Sequence, residues 1–321
     1  MGFLDTILSP FQWLVSWVMQ AFHELFTFLG MESGSGWTWT LSIVGLVLVI
    51  RAALIPIFVK QIKAQRGMQA LQPDLRKLQQ KYKGKTDQLS RQAMTQEQMA
   101  LYKKHGTNPF AACLPILIQM PFFFALFRVL NGVSGASDEG RSIGALSAEA
   151  VKQFDAATIF GAPLSSTFLG SFGGNGNISV ILLSIVMILA MTASQFITQK
   201  QIMAKNMSEE AMQSPFMKQQ KMMLYILPVV FGIGGINFPI GVLVYWTTTN
   251  IWTMVQQFYV IRRMPTPGSP AAKALAERRA RKGLPMVPLL GEKKNSEPVE
   301  EITPAPRVQR VQPQRKKRKR K

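Results

Sequence analysis

One charged side chain stands where charge is expensive. Arg51 interrupts an otherwise uncharged block of 23 residues, 37–59. A guanidinium stays protonated at any physiological pH and binds carboxylates or phosphates. At the centre of a membrane span it costs roughly 2.5–3.5 kcal/mol. Arg51 precedes Lys60 by nine residues, on the order of 13 Å of helix. That is a long reach for relief by snorkelling. An acidic partner would relieve the cost, but the long uncharged blocks contain no Asp or Glu. The same absence argues against a proton-coupled pump or transporter, which relies on intramembrane carboxylates. Arg51 is therefore expected to face a hydrated cavity lined by neutral polar groups. The candidates are Gln119, Thr192, Ser194, Gln195, Thr247, Thr248, Thr249 and Asn250. The ordinary alternative for each is a hydrogen bond between helices.

Other chemistry has little to draw on. Cys113 is the single cysteine, so an intramolecular disulfide is excluded, and its apolar surroundings suggest simple packing. His23 and His105 stand far apart without evident ligand partners. A histidine metal site, a Ser-His-Asp triad or an acid–base pair within the apolar blocks is not visible.

The elements that position Arg51 follow from charge segregation. The chain has 321 residues, 47% of them hydrophobic, yet a net charge of +20. Uncharged blocks alternate with basic ones, the pattern of a polytopic membrane protein. The blocks are 37–59, broken by Arg51, 110–131, apolar apart from Gln119, Arg128 and Asn131, 178–199 up to Lys200, and the 40 residues 222–261. The last is long enough for two spans, 222–236 and 238–261, with a turn in the glycine-rich run 232–239. Five spans result. Segment 60–109 carries eleven Lys/Arg against three Asp/Glu, and 200–221 four against two. The tail 262–321 carries eighteen against five, whereas 132–177 has two against four. The positive-inside rule then places 132–177 and the N-terminus outside and the C-terminus in the cytoplasm.

Residues 1–36 form an extracytoplasmic helix and linker. Within 7–29, Phe11, Leu14, Val15, Val18, Phe22, Leu25, Phe26 and Leu29 share one helical stripe, with Trp13 and Trp17 at headgroup level. Gln12, Ser16, Gln20, His23, Glu24 and Thr27 lie mainly on the other side. The pattern suits a helix in the outer interface; a sixth span is the competing reading. The first 50 residues contain no Lys or Arg, so the start does not read as a cleaved signal. In 60–109, Met68, Leu71, Leu75, Leu78 and Tyr82 mark an apolar face, a turn falls at 84–87, and 89–102 reads as a second helix. This helical hairpin either only fixes topology or contacts an incoming polypeptide, a ribosome or anionic lipid. Residues 264–321 have little periodicity and end in a basic run, so they are expected to be disordered and to contact ribosomal RNA or anionic lipid.

Several of these pieces resemble the YidC/Oxa/Alb family of membrane protein insertases. They are VIRAALIP at 49–56, LQPDLRKLQQKY at 71–82, Asn108 with Pro109, CLPILIQMPF at 113–122, ALF at 125–127, and GVLVYWTTTN at 241–250 with Gln256 beyond. Each is weak alone; their order is specific. The resemblance implies an all-α polytopic fold: a five-transmembrane-helix core with a mobile cytoplasmic helical hairpin, an N-terminal interfacial helix, and a groove open to cytoplasm and lipid but closed outside. The family's groove arginine maps onto Arg51. The residues lining the groove with it map onto Gln195 and Trp246, with Tyr245 nearby; Gln119 and Asn250, from the polar candidates above, complete the expected groove. The implied activity is insertion and folding of nascent membrane proteins, alone or with the Sec translocon, without ATP, metal or other cofactor. The implied partners include nascent chains, the ribosome and anionic lipids, but no DNA. The sequence departs from the pattern in lacking a large extracytoplasmic domain and an N-terminal lipoprotein cysteine, and in its long Gly/Ser-rich loop 132–177. These departures resemble a Gram-positive, actinobacterial member.

In physical terms, a hydrated positive pocket shortens the apolar path that a polar segment must cross, and so lowers its desolvation cost. Methionines, 18 in all, adapt to varied apolar partners. A second class of function stays open at this point: a transporter that binds a small anion at Arg51.

Overall fold

The computed structural model describes residues 3–108, 114–172, 176–207, 212, 222, 226, 230 and 232–285. They form a mostly helical bundle. Helix α1 is Phe3–Phe28, α2 Gly36–Ala53, α3 Ile55–Ala70, α4 Gln72–Lys81 and α5 Gln88–Lys104. Then come α6 (Leu114–Asp138), α7 (Ala148–Ala156), the strands β1 (Thr158–Ile159) and β2 (Ala162–Pro163), and a 3-10 turn at Leu169–Ser171. Helices α8 (Ile178–Asn206), α9 (Ile240–Arg263) and α10 (Pro270–Ala280) complete the chain.

Three described helices are long and apolar enough to cross a membrane: α2, Leu117–Asp138 within α6, and α8. Their length comes from the uncharged blocks, but their ends do not coincide with them. Helix α2 stops at Ala53, with Leu54 as its cap. Pro56 has no N–H to donate to Ala52, so the helix breaks one turn after Arg51 and restarts as α3. Helices α6 and α8 run on to Asp138 and Asn206. Of the block 222–236, only 222, 226, 230 and 232–236 are described, with 232–235 helical and the turn at 236–238. Cys113 lies outside the described residues.

Helix α9 is the hub, packed against α2, α6 and α8, while α1 covers α2 and α6. The main core joins Trp39, Ile43 and Leu46 of α2, Leu126 and Leu130 of α6, Phe154 of α7 and Ile240 to Tyr245 of α9. Helices α4 and α5 run antiparallel over a small separate core of Leu71, Leu75 and Tyr102. Asp87 caps α5 by accepting from Ser90 N at 2.8 Å. Glu97 accepts from Lys81 Nζ at 2.7 Å and from Tyr82 Oη at 2.8 Å.

Toward the bundle, α1 buries Val15, Ser16, Met19 and His23, while Leu14, Leu25 and Leu29 of the apolar stripe stay exposed. Polar residues can be buried here because each has a partner. Ser16 Oγ donates to Gln12 O and accepts from Ala145 N at 2.8 Å. His23 bonds Ser33 O at 2.9 Å and stacks on Trp39 at 3.9 Å. One sequence expectation is corrected: the segment after 262 is not disordered as far as it is described. Ser269 caps α10. Thr266 N donates to Asn206 Oδ1 at 2.9 Å, which ties this segment to the end of α8. Four short-side-chain residues at the start of α10 and just before it (Thr266, Ser269, Ala271, Ala272) let it pack closely, a signal that the periodicity of large apolar residues misses. Residues 286–321 lie outside the described part. The all-α expectation also omits the small β1–β2 hairpin inside 132–177.

Candidate functional site

The site forms where two helices change character along their length. The buried residues of α2 all lie between Gly36 and Val47. From Leu48 to Ala53 every residue is half-buried or exposed. Helix α9 repeats this: Ile240 to Tyr245 are buried, and Trp246 to Asn250 only half so. The N-termini of both helices sit at the same end, against 158–166. There Gly36 lies under Thr158 O, and Gly241 N donates to Leu164 O at 2.8 Å. The bundle is thus closed at that end and open at the level of Arg51 and Trp246.

Arg51 occupies the last turn of α2, where free carbonyls favour a cation. It is half-buried, and its Nε is buried without a hydrogen-bond partner among the described residues. Tyr245 lies within electrostatic reach of the guanidinium, and no carboxylate among the described residues does. Tyr245 Oη accepts a long hydrogen bond, 3.5 Å, from Gln119 Nε2 of α6. Arg51, Gln119 and Tyr245 therefore converge from three helices. Trp246 is wedged between rings, Phe123 at 5.4 Å and Phe238 at 5.5 Å. Asn250 Nδ2 donates to its own helix, to Trp246 O at 3.1 Å. Gln195 is half-buried on α8 and takes no part in the Gln119–Tyr245 bond.

The other polar candidates divide by partner. Ser194 donates to Met191 O, and Thr248 to Val244 O. Thr192 lies against Gly232. Thr247 and Thr249 each bury a hydroxyl without a partner among the described residues. Leaving a buried polar atom unpaired costs about 1–3 kcal/mol; Arg51, Thr247 and Thr249 share this condition with Trp39 Nε1, Thr40 Oγ1 and Ser184 Oγ elsewhere in the bundle. The sequence reading names Trp246 but not its ring neighbours Phe123 and Phe238. The consecutive phenylalanines at 122–124 are the available signal.

Residues 30–267 match the 60Kd inner membrane protein family. A Streptomyces avermitilis protein named membrane protein insertase YidC is 49% identical over 283 residues, covering 86% of this chain and 64% of that longer one. A protein of the same name from Tropheryma whipplei is 42% identical over 83% of this chain and 87% of its own. One from Bifidobacterium longum is 36% identical over 99% of this chain and 96% of its own. A crystal structure described as an active YidC insertase with its first transmembrane domain resolved aligns with 81% of this chain and 47% of that one. Its TM-score is 0.41 and its identity 22%, too distant to bear on the arrangement described above.

Proposed function

This chain belongs to the 60Kd inner membrane protein family and is a plasma membrane protein, and from that premise we propose that it is an insertase for nascent membrane proteins. The observation that supports this best is the burial gradient: α2 and α9 are packed at one end and open at the other, where Arg51 lies within electrostatic reach of Tyr245 and Tyr245 is bonded to Gln119. A passing segment enters from the open, cytoplasmic end. Its polar outer part is drawn toward Arg51, and its apolar part partitions along α9 into lipid. Unpartnered Arg51 Nε, Thr247 Oγ1 and Thr249 Oγ1 are groups that water or a substrate backbone can satisfy. Trp246, Gln195 and Asn250 line the path beyond.

The proposed topology has five spans, with 222–236 and α9 completing the core, the N-terminus outside and the C-terminus in the cytoplasm. Helices α4 and α5 form the cytoplasmic hairpin that meets the incoming chain. The basic tail contacts the ribosome or anionic lipid, and the chain acts alone or beside the Sec translocon, assisting folding as well as insertion.

The test is crosslinking. Photoreactive residues at Gln195 and Trp246 should capture ribosome-bound nascent membrane proteins, and one at exposed Leu89 of the hairpin should capture them earlier in elongation. Membrane-targeted chains that crosslink at none of these positions would overturn the proposal.

A further inference from the structure

The closed end of the bundle carries apolar surface that the groove does not use. The β1–β2 hairpin turns through Phe160 and Gly161, with φ of +51° and +78°. Turns of this kind favour Asn, Asp or Gly at their first central position. A bulky residue held in the left-handed region is strained. Burial does not compensate Phe160, which is 70% exposed. Its ring meets the edge of Trp37 at 5.3 Å, and Trp37 is itself half exposed.

The strained tip is clamped in place. Thr158 O sits so close to Gly36 that an added Cβ would lie 2.1 Å away. Asn177 Nδ2 donates to Gly161 O at 2.9 Å, while its Oδ1 caps α8 by accepting from Ser179 N. Phe160 is therefore fixed at the first residues of both α2 and α8, two membrane-length helices. Exposed Ile178 opens α8, and exposed Phe172 follows Ser171, whose carbonyl packs against Gly176. These four large apolar residues lie at the starts of two spans. The sequence from 156 to 178 contains no Asp, Glu, Lys or Arg, whereas 138–155 holds six of them.

We propose that Trp37, Phe160, Phe172 and Ile178 form a rigid anchor seated in outer-leaflet lipid, at the boundary of headgroups and acyl chains. Aromatic side chains favour that depth. The absence of charge over 156–178 fits lipid better than a charged protein partner. The position follows from α2 and α8, because the hydrocarbon begins where those helices begin. Clamping the tip to both N-termini fixes how deeply the bundle sits, and with it the depth of Arg51. The inference rests on α2 and α8 crossing the bilayer with their N-termini outside, as in the proposed topology, and not on what the groove carries.

The full chain with Cys113→Ala supports a direct test. Phe160→Cys carries an environment-sensitive fluorophore in vesicles of phosphatidylethanolamine and phosphatidylglycerol, and exposed Asp138→Cys serves as the aqueous reference. The label at 160 should emit in the blue and be quenched by a nitroxide near the top of the acyl chain, but not by iodide. The reference should do the opposite. Iodide quenching at 160 as strong as at 138 would overturn the anchor. Blue emission that neither quencher reaches would also overturn it, and would point to a protein partner or a second copy. Phe172→Cys lies off the strained turn and must give the same result as Phe160→Cys. Crosslinking that failed at Gln195 and Trp246 would leave this outcome untouched.

Discussion

The two ends of the bundle are built on opposite rules. At the closed end, backbone meets backbone or side chain at close range: Gly36 under Thr158 O, Gly144 against Ser16, and Ile240 N on Ser166 O at 3.0 Å. Trp39 is fully buried there between His23 and Phe154. At the open end the packing loosens: Arg51 and Trp246 to Asn250 are only half-buried, and the Gln119–Tyr245 bond between helices is long. Stability is concentrated where nothing passes.

The comparison can be broken most directly at Trp39. Trp39→Ala should cost about 3–5 kcal/mol, seen as a large fall in the thermal unfolding temperature in detergent. A small shift would mean that the closed end is not the anchor of the fold. Gly36→Val should cost about 1–3 kcal/mol, because Thr158 O leaves no room for a branched side chain. Protease sensitivity of the 158–172 segment reports it.

Arg51→Ala should do the reverse. Unfolding temperature should hold or rise, since a buried unpartnered Nε is removed. Insertion of substrates with acidic translocated segments should drop several-fold, and purely apolar substrates should be affected less. Equal loss for both, measured in proteoliposomes, would make Arg51 a structural residue. Tyr245→Phe should cost no more than about 1.5 kcal/mol of stability while weakening insertion of the same acidic substrates.

The smallest effect concerns the α4–α5 pair. The hydrogen bond from Lys81 holds the Glu97 carboxyl below the usual glutamate range, and Tyr82 adds to this. Glu97 in turn raises Lys81. A depressed carboxyl stabilises fully above its unfolded value, about 4.3, and that stability is lost as pH falls through the lower folded value. A raised lysine stabilises fully below about 10.4 and loses that contribution as pH climbs through its higher folded value. Between the two the pair is at full strength. Both side chains are well exposed, so a few tenths of a kcal/mol are at stake. Hydrogen-exchange protection of α5, taken relative to the intrinsic exchange rate at each pH, should fall slightly on acidification, and Glu97→Gln should remove that dependence.

Much of this was legible because bilayer chemistry is coarse. An uncharged block of membrane length reads as a helix whatever surrounds it, and Arg51 announces itself by type alone. Tyr245 and Trp246 came from resemblance and Gln119 from its polarity within an apolar block, and spacing would not have joined them. What stayed hidden depends on tertiary partners. Ser16 and His23 read as a polar face until Ala145 N and Trp39 are seen to receive them. Helix α10 presents alanines and a capping serine, so the period of large apolar residues misses it. The break at Leu54 needs Pro56 to be read against Ala52 O rather than as one more residue of an apolar run.

The Gln119–Tyr245 contact joins residues 126 positions apart. A ribosome adding roughly 5–20 residues per second needs about 6–25 s to cover that distance. Throughout that interval Arg51 and Gln119 already exist without the tyrosine that α9 brings. The protein is thus itself a nascent membrane chain with exposed polar groups awaiting partners. Its own completion poses, for those seconds, the problem it is proposed to solve for others.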